Sequence, residues 1–253
     1  MIQISAVIIT FNEELNITRC IESLKRVADE VIVVDSYSTD DTANVAASLG
    51  AKVISCKFDG YGTQKDFAQN QATYQWVLSL DADEVISPEL EASLLAVKQG
   101  PTYDAYKVNI LTSYCGKWIK HCGWYPQPKV RLWNRSKGVM SSDKVHEEWH
   151  LFDKYATLGH LKGDLLHYSY NTISDHMRKI EQYSEIKAHV DIDKGKTVSL
   201  IKLWLAPKFE FFIDFVIRKG FLDGYYGYII CRNSAFYTYV KYAKIRQYSK
   251  QRL

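Results

Sequence analysis

Two successive strand-helix-strand crossovers fill the first 58 residues, and nothing else in the chain narrows the choice of fold so far. Residues 2–11 (Ile-Gln-Ile-Ser-Ala-Val-Ile-Ile-Thr-Phe) form a nearly continuous apolar, β-branched run, and residues 30–35 (Glu-Val-Ile-Val-Val-Asp) form a second. Such runs are strands buried on both faces of a parallel sheet. Between them Ile17, Cys20, Ile21 and Leu24 recur at helical spacing, which predicts an amphipathic helix. Residues 39–49 predict a second helix closed by Gly50, and residues 52–58 a third strand. Crossovers of that length require parallel strands with right-handed connections, hence a doubly wound sheet whose ligand site lies at the carboxyl ends of its strands. A fourth strand over residues 76–80 runs into Asp81-Ala82-Asp83-Glu84, and Ser87-Pro88 opens a helix over residues 89–97.

Beyond Gly100-Pro101 the pattern weakens. Residues 103–111 and 129–134 are predicted strands around a loop holding Trp118, His121, Trp124 and Tyr125, aromatics that suit either sugar stacking or local packing. A helix is predicted over residues 174–191. Residues 200–216 are strongly apolar but contain Pro207 and four charges, which favours an interfacial or core helix over a spanning one.

Composition settles the broad class. Of 253 residues, 47% are hydrophobic and 24% charged, which excludes disordered, collagen-like and disulfide-scaffold chains. No stretch approaches the ~18 uninterrupted apolar residues of a membrane span, and the N-terminus lacks the basic flank of a signal peptide. An intracellular, non-spanning protein is therefore expected. The five cysteines are odd in number and scattered, which predicts reduced thiols. The formal charge is only +3, but it is unevenly spread. After Asp223 there are six basic and no acidic side chains, which leaves −3 for the residues before them. That tail also carries seven tyrosines. Basic groups interleaved with tyrosines suit an anionic membrane surface, the alternatives being nucleic acid or a solvated helix face with its tyrosines packed inward.

The first half contains neither G-x-G-x-x-G nor G-x-x-x-x-G-K-[ST], so dinucleotide and P-loop sites are disfavoured. Asp81 and Asp83 instead stand at the end of a buried strand with one small residue between them. Two such carboxylates can share a divalent cation, Mn²⁺ or Mg²⁺, that bridges a diphosphate.

Three motifs occur in order: Ser5-Ala6-Val7-Ile8-Ile9-Thr10-Phe11-Asn12-Glu13, then Val34-Asp35-Ser36-Tyr37-Ser38-Thr39-Asp40-Asp41-Thr42, then Leu80-Asp81-Ala82-Asp83-Glu84. Together they resemble family 2 glycosyltransferases, inverting enzymes with a GT-A fold. The segments Gly60-Tyr61-Gly62-Thr63-Gln64-Lys65, Arg131-Leu132-Trp133, Val145-His146-Glu147 and Gly220-Phe221-Leu222-Asp223-Gly224 resemble the subgroup that adds glucose to the lipopolysaccharide inner core. The sequence departs from the common Asp-Ser-Gly-Ser motif at Tyr37 and from Thr-Asp-Gly at Asp41.

The resemblance implies a doubly wound, mainly parallel sheet with helices on both faces and a helical C-terminal extension. Residues 1–160 would form the catalytic core, and residues 161–253 the acceptor and membrane-surface region. It implies that Thr10, Asn12, Glu13 and Asp35 surround the uracil and ribose of a UDP-sugar, with Asp40 and Asp41 capping the next helix. Lys65, in a loop after the third strand, would neutralise donor phosphate. Asp81 and Asp83 would hold the metal, with His167 as a further candidate ligand, and Arg131 would pair with the diphosphate. Glu147 would be the general base, with Glu148 and Asp143 as rivals, and His146 a neighbour that orients the base or binds metal. The acceptor would be a lipid-linked saccharide, at the inner face of the cell membrane, with no nucleic acid partner. The alternatives are a transferase acting on polyprenyl phosphate and, in another class, a non-catalytic binding protein with a basic tail. A sugar-nucleotide-forming nucleotidyltransferase is disfavoured because no glycine-rich loop follows the first strand.

Overall fold

The structure is a computed structural model and describes residues 1–140, 149–152 and 155–251. It begins β1 (Ile4–Thr10), α1 (Glu14–Leu24), β2 (Glu30–Asp35), α2 (Thr42–Ser48), β3 (Lys52–Ser55), α3 (Tyr61–Asn70), β4 (Trp76–Asp81), β5 (Glu84–Ile86) and α4 (Pro88–Gln99). There follow β6 (Ala105–Tyr114), β7 (Lys117–Trp118), β8 (Pro128–Asn134), β9 (Gly138–Met140), β10 (Trp149–Leu151) and β11 (Leu158–Tyr170). The helices α5 (Ile173–Asp193), α6 (Leu200–Phe212) and α7 (Gly224–Gln251) complete it, with a π-helical turn (Ile213–Ile217) and a 3₁₀ turn (Gly220–Asp223) between the last two.

A nine-stranded sheet runs in the order β3-β2-β1-β4-β8-β6-β11-β5, with β7 on β6. The strands β3, β2, β1 and β4 are mutually parallel, as the crossover argument requires. From β8 onward the observed pairings are antiparallel. β1 shows why its sequence has no polar face: Ile4, Ala6 and Ile8 pack with Ile17, Ile21 and Leu24 of α1 and Leu90 and Leu94 of α4. Val7 and Ile9 point the other way, toward Ala68 of α3 and Trp133. Alternation with period two thus buries both faces, and helices cover each of them. The doubly wound α/β class is the one the sequence predicts.

Two helix starts are capped, and the first is the one the sequence signals. Ser87 caps α4 by accepting from the Leu90 amide, with Pro88 in the first turn. Thr172 and Asp175 form a reciprocal capping box on α5. Lys65 differs from expectation, because it lies on a helix and not in a loop. α3 buries Gly62, Gln64, Lys65, Ala68 and Gln69, so its inward face is polar and leaves no apolar stripe to read.

The chain divides into two compact units, Met1–Ile110 with Gln127–His167, and Leu111–Pro126 with Tyr168–Leu253. In the first, Gly163 has φ +87°, and a Cβ there would lie 2.2 Å from the Leu90 amide nitrogen, so β11 crosses the start of α4 without room for a side chain. The core of the second has two parts. Tyr114, Ile119, Cys122, Ile230 and Cys231 form one. Ala188, Ile192, Val198, Leu203 and Ile245 form the other, against which Tyr239, Tyr242 and Tyr248 pack. Trp124, from the aromatic loop, packs on Tyr114, Tyr170 and His176. A Cβ on Gly227 of α7 would lie 2.0 Å from the Gly220 carbonyl oxygen, which fixes how closely the 3₁₀ turn meets that helix. Asp223 ties this turn to the loop after β7, accepting from the His121 amide (2.8 Å) and meeting its imidazole (3.1 Å). All five cysteines are free thiols.

Candidate active site

The parallel strands end nearly flush. Thr10 pairs in register with Asp35 on one side of β1, and Ile9 with Asp81 on the other. Three of the sequence-selected residues therefore stand at one edge of the sheet, where ligands of doubly wound sheets bind.

The loops after β1 and β2 are stitched together. Asn12 adopts φ 54° and Tyr37 φ 61°. The Asn12 amide donates to Ser38 Oγ (2.8 Å), and Asn12 Oδ1 accepts from the Thr39 amide (2.8 Å). The Asp35 carboxylate accepts from the Ser38 amide (3.0 Å) and from its hydroxyl, an Asx-type turn that fixes the loop. Asp40 accepts from the amide and hydroxyl of Thr42 and from the Glu14 amide. It works at the start of α2, as expected. Glu13 receives a bond from Asn16 at the head of α1, while its own amide donates to Thr42 Oγ1. Thr10 Oγ1 is buried and has no hydrogen-bond partner among the described residues. A polar atom left that way calls for a partner from outside the chain.

Around the end of β4 the geometry is ionic. Lys65, 2% exposed, places Nζ 2.9 Å from Asp81 Oδ1. Arg131 of β8 places Nη2 3.2 Å from Asp81 Oδ2 and 2.5 Å from Glu84 Oε1. The other oxygen of Glu84, a residue 1% exposed, accepts the Asp81 amide at 2.9 Å. Two cations and two carboxylates thus interlock. Burial alone would raise the pKa of Asp81, but the charges of Lys65 and Arg131 override it and hold the carboxyl well below the usual range. Glu84 moves the other way: burial pushes it up, and the Asp81 charge adds to that against the pull of Arg131.

Asp83 lies at the rim of this network. β5 and β11 pair with Glu84 opposite His167, and that register brings His167 Nε2 within 3.1 Å of Asp83 Oδ2. Burial disfavours a charged imidazole, yet the Asp83 hydrogen bond and the charges of Asp83, Glu84 and Asp81 raise the His167 pKa above its ordinary value.

The arrangement fits a divalent cation of the Mg²⁺ or Mn²⁺ type. Such ions are held by one or two carboxylates together with substrate phosphates and water, not by a closed protein cage. Among the described residues no three His, Cys, Asp or Glu side chains form such a cage. Asp83 would supply the hard oxygen donor to such an ion, and His167 would be either a second ligand or the group that orients the first.

The structure thus brings Asp81, Asp83, Arg131, Lys65 and His167 into one cluster, and Thr10, Asn12, Glu13 and Asp35 into the adjoining loops. Glu147 and His146, with the rivals Glu148 and Asp143, lie outside the described residues. Sequence reasoning passed over Glu84, although it sits inside the quoted Asp81-Ala82-Asp83-Glu84 string. It also passed over Gln64, a buried side chain that donates to Ser36 Oγ (3.0 Å) and to the Cys56 carbonyl (3.3 Å). A glutamate after a strand-terminal Asp-x-Asp, with an arginine on a later strand, was the available signal for the first. The second sits inside the quoted segment over residues 60–65, but no local pattern there marks a buried face.

Comparison with known proteins agrees with the geometry. An uncharacterized glycosyltransferase of Rickettsia typhi is 36% identical over 260 residues, covering 98% of this chain and 88% of that protein. The lipopolysaccharide core biosynthesis glycosyltransferase LpsC of Rhizobium meliloti is 32% identical over 261 residues, covering 96% and 92%. Glucosyl-3-phosphoglycerate synthase of Mycobacterium tuberculosis, solved with Mn²⁺, UDP-glucose and phosphoglyceric acid, is 28% identical over 45% of this chain and 44% of that one. Its TM-score is 0.37. The profile described as Glycosyl transferase family 2 matches residues 5–151. With flush strand ends, stitched loops and an Asp-x-Asp cluster where that profile runs, the chain belongs to glycosyl transferase family 2.

Proposed function

We propose that this glycosyltransferase is a metal-dependent, inverting enzyme that moves glucose from UDP-glucose onto a lipid-linked saccharide of the lipopolysaccharide core type. The observation that carries the reading is the cluster at the end of β4, where Asp83 and His167 stand beside the paired Lys65, Asp81, Arg131 and Glu84. The relationship to LpsC over nearly the whole chain supports the acceptor class.

In this reading Thr10, Asn12, Glu13 and Asp35 receive the nucleoside. The buried Thr10 hydroxyl and the αL turn at Asn12 support that assignment. Asp83 would hold the cation, with Asp81 behind it and His167 beside it. When bound, the metal supplies positive charge to the diphosphate oxygens. The chain's own cations act on the same charge. Lys65 and Arg131, already desolvated and fixed, cost no reorganisation as negative charge develops on the leaving group.

Transfer is an in-line displacement. The acceptor oxygen bonds to the anomeric carbon as the bond from that carbon to the diphosphate breaks, with inversion, and UDP leaves with the bonding electrons. The acceptor proton passes to a carboxylate, for which Glu147 is proposed, at a contribution of ~10²- to 10⁴-fold. Residues 1–160 would carry this chemistry, and residues 161–253 the acceptor and the membrane surface.

The test is binding before turnover. Each UDP-sugar is added with Mn²⁺, and the melting temperature and donor hydrolysis are followed; a ligand at about 100 times its Kd stabilises by ~2.7 kcal/mol. UDP-glucose should protect best and be hydrolysed slowly. A folded protein that neither binds nor hydrolyses any UDP-sugar with Mn²⁺ would overturn the proposal. Transfer to polyprenyl phosphate, but to no lipid-linked saccharide, would move the acceptor assignment alone.

A further inference from the structure

The basic tail suggested a membrane contact, yet α7 does not carry the largest apolar surface of the second unit. Its Tyr226, Tyr239, Tyr242 and Tyr248 pack against the unit's own core clusters. The apolar surface lies on α6 and the π-helical turn after it. There Ile201, Trp204, Leu205, Phe209, Phe212 and Val216 are all exposed, Ile201 by 72%, Phe209 by 64% and Trp204 by 60%. Their positions follow i, i+3, i+4, i+8, i+11 and i+15, so they line one stripe of the helix surface. Leu203 faces the core instead. A helix with an apolar stripe on each side is normally buried all round, and this one is open on one of them.

The stripe is too large to be the scatter of single apolar side chains normal on a soluble surface. No helix is long and apolar enough to cross a membrane among the described residues. Charge points to what covers the stripe. Lys208 interrupts it, and Arg218 and Lys219 follow directly on the π-helical turn, all three exposed. Of the nearby acids, Asp214 is buried and paired with Arg218 (2.7 Å), and Glu210 is half-buried. Beyond them Phe221, Leu222 and Tyr225 are exposed as well. Large apolar and aromatic side chains with a basic border, on a helix that cannot span, are the composition of an element lying in the plane of an anionic lipid surface.

We propose that α6, the π-helical turn and the 3₁₀ turn form the lipid-contacting surface of this protein, with the apolar stripe inserted among acyl chains and Lys208, Arg218 and Lys219 at the headgroups of anionic lipids. This deepens the reading above, because a lipid-borne acceptor is presented at such a surface. It is tested without donor or acceptor, so the two can fail separately.

The experiment is flotation of the full chain with vesicles of phosphatidylcholine alone and with a third of phosphatidylglycerol. The protein should float with the anionic vesicles. Trp204→Glu with Phe209→Glu should weaken that binding by at least ~100-fold, since each buried aromatic contributes about a tenfold factor or more. Lys208→Glu with Lys219→Glu should weaken binding to anionic vesicles at least ~30-fold and leave the weak binding to neutral ones unchanged. All four side chains are exposed, so the variants should keep the parent melting temperature and donor hydrolysis. Failure of the parent to float, or equal flotation of parent and both variants, overturns the proposal. So does a parent dimer that the Trp204 and Phe209 changes render monomeric without any vesicle binding, because the stripe would then belong to a second copy of the chain. Loss of donor hydrolysis in the parent would sink the donor assignment and leave this surface standing.

Discussion

His167 and His176 are nine positions apart, one in each compact unit, and their surroundings drive the imidazole in opposite directions. His167 meets Asp83 and the charges of Asp81 and Glu84, and its pKa rises although burial opposes it. His176 is enclosed by Tyr114, Trp124 and Tyr170, with Lys179 nearby; burial first, then that lysine, pushes it down to about 4. The first unit takes charge into its interior and compensates it with charge. The second packs rings around a neutral imidazole, and two of the acids it buries, Asp191 and Asp214, pair with cations that reach in from the surface. A site for a diphosphate and its metal needs the first kind of interior, and a platform for an apolar contact needs the second.

The largest expected effect separates those two uses of charge. Arg131→Met leaves Asp81 and Glu84 facing each other without the guanidinium that both use, and removing one partner of a buried ion cluster costs ~3–5 kcal/mol. Lys244→Met in the second unit also deletes a cation with two partners, Glu181 and Glu185. Glu181 there is 73% exposed, so the loss should be no more than ~1 kcal/mol. Urea unfolding of both variants checks this, and equal losses would break the contrast.

Next in size is an effect on rate. Asp83→Asn should lower transfer ~10²- to 10³-fold, the usual cost of removing one preorganised electrostatic contact, while barely moving the melting temperature. The same change removes the first partner of His167, whose pKa should fall back toward its ordinary value; an imidazole NMR titration reads this with no substrate present. Full activity in this variant would detach Asp83 from the chemistry.

The two histidines also predict opposite arms of the pH profile. A raised folded pKa means that the His167 contribution is complete below the unfolded value of ~6.5 and is lost as pH rises through its folded value. A lowered one means that the His176 contribution is present above ~6.5 and is lost as pH falls through about 4. Its full size is roughly 3 kcal/mol. Asp81 acts in the same sense at lower pH, stabilising above ~3.9 and failing as its carboxyl protonates. On acidification His176 should therefore stay neutral when exposed histidines have charged, and His176→Phe should flatten the acid limb between pH ~6.5 and about 4. An imidazole that titrates normally at position 176 would show that the aromatic cluster opens.

How far the sequence could be read follows the same division. β1, β2 and β4 were legible because both of their faces are buried, so the strands are unbroken apolar runs. The loops at their ends were legible by position, and Asp35, Asp81 and Asp83 lie where the crossover argument puts a ligand site. α3 was not legible because the face it buries is made of Gly62, Gln64, Lys65 and Gln69. Nor was β11, whose thirteen residues alternate between buried, half-buried and exposed as it pairs antiparallel with β5. Partnerships across the sheet, such as Arg131 with Glu84, depend on registers between distant strands that no local pattern encodes. The stripe on α6 was visible as apolar residues, but not its exposure, since periodicity alone does not say which side is covered.

The smallest effect concerns backbone strain in the loop after β2. Tyr37 stands where the family motif has glycine, and its φ of 61° is the left-handed conformation that glycine adopts freely. A bulky side chain there costs ~1–2 kcal/mol, whereas glycine in its place costs ~0.5–1 kcal/mol in chain entropy. Tyr37→Gly should therefore leave stability unchanged or raise it by up to ~1.5 kcal/mol, a melting shift of at most ~3–6 °C at this chain size. Lys219 in the second unit has φ 55° and is equally open to solvent, so Lys219→Gly should shift stability by the same amount. The two should part in function. Tyr37 is 61% exposed beside Asp35 and Ser38, so its loss should raise KM for the donor and leave kcat alone. Lys219→Gly should leave both constants alone with a soluble acceptor. If Tyr37→Gly instead destabilised the protein, the ring would have to be making contacts that repay its strain, and the loop would be held by packing and not by the hydrogen bonds among Asn12, Asp35 and Ser38.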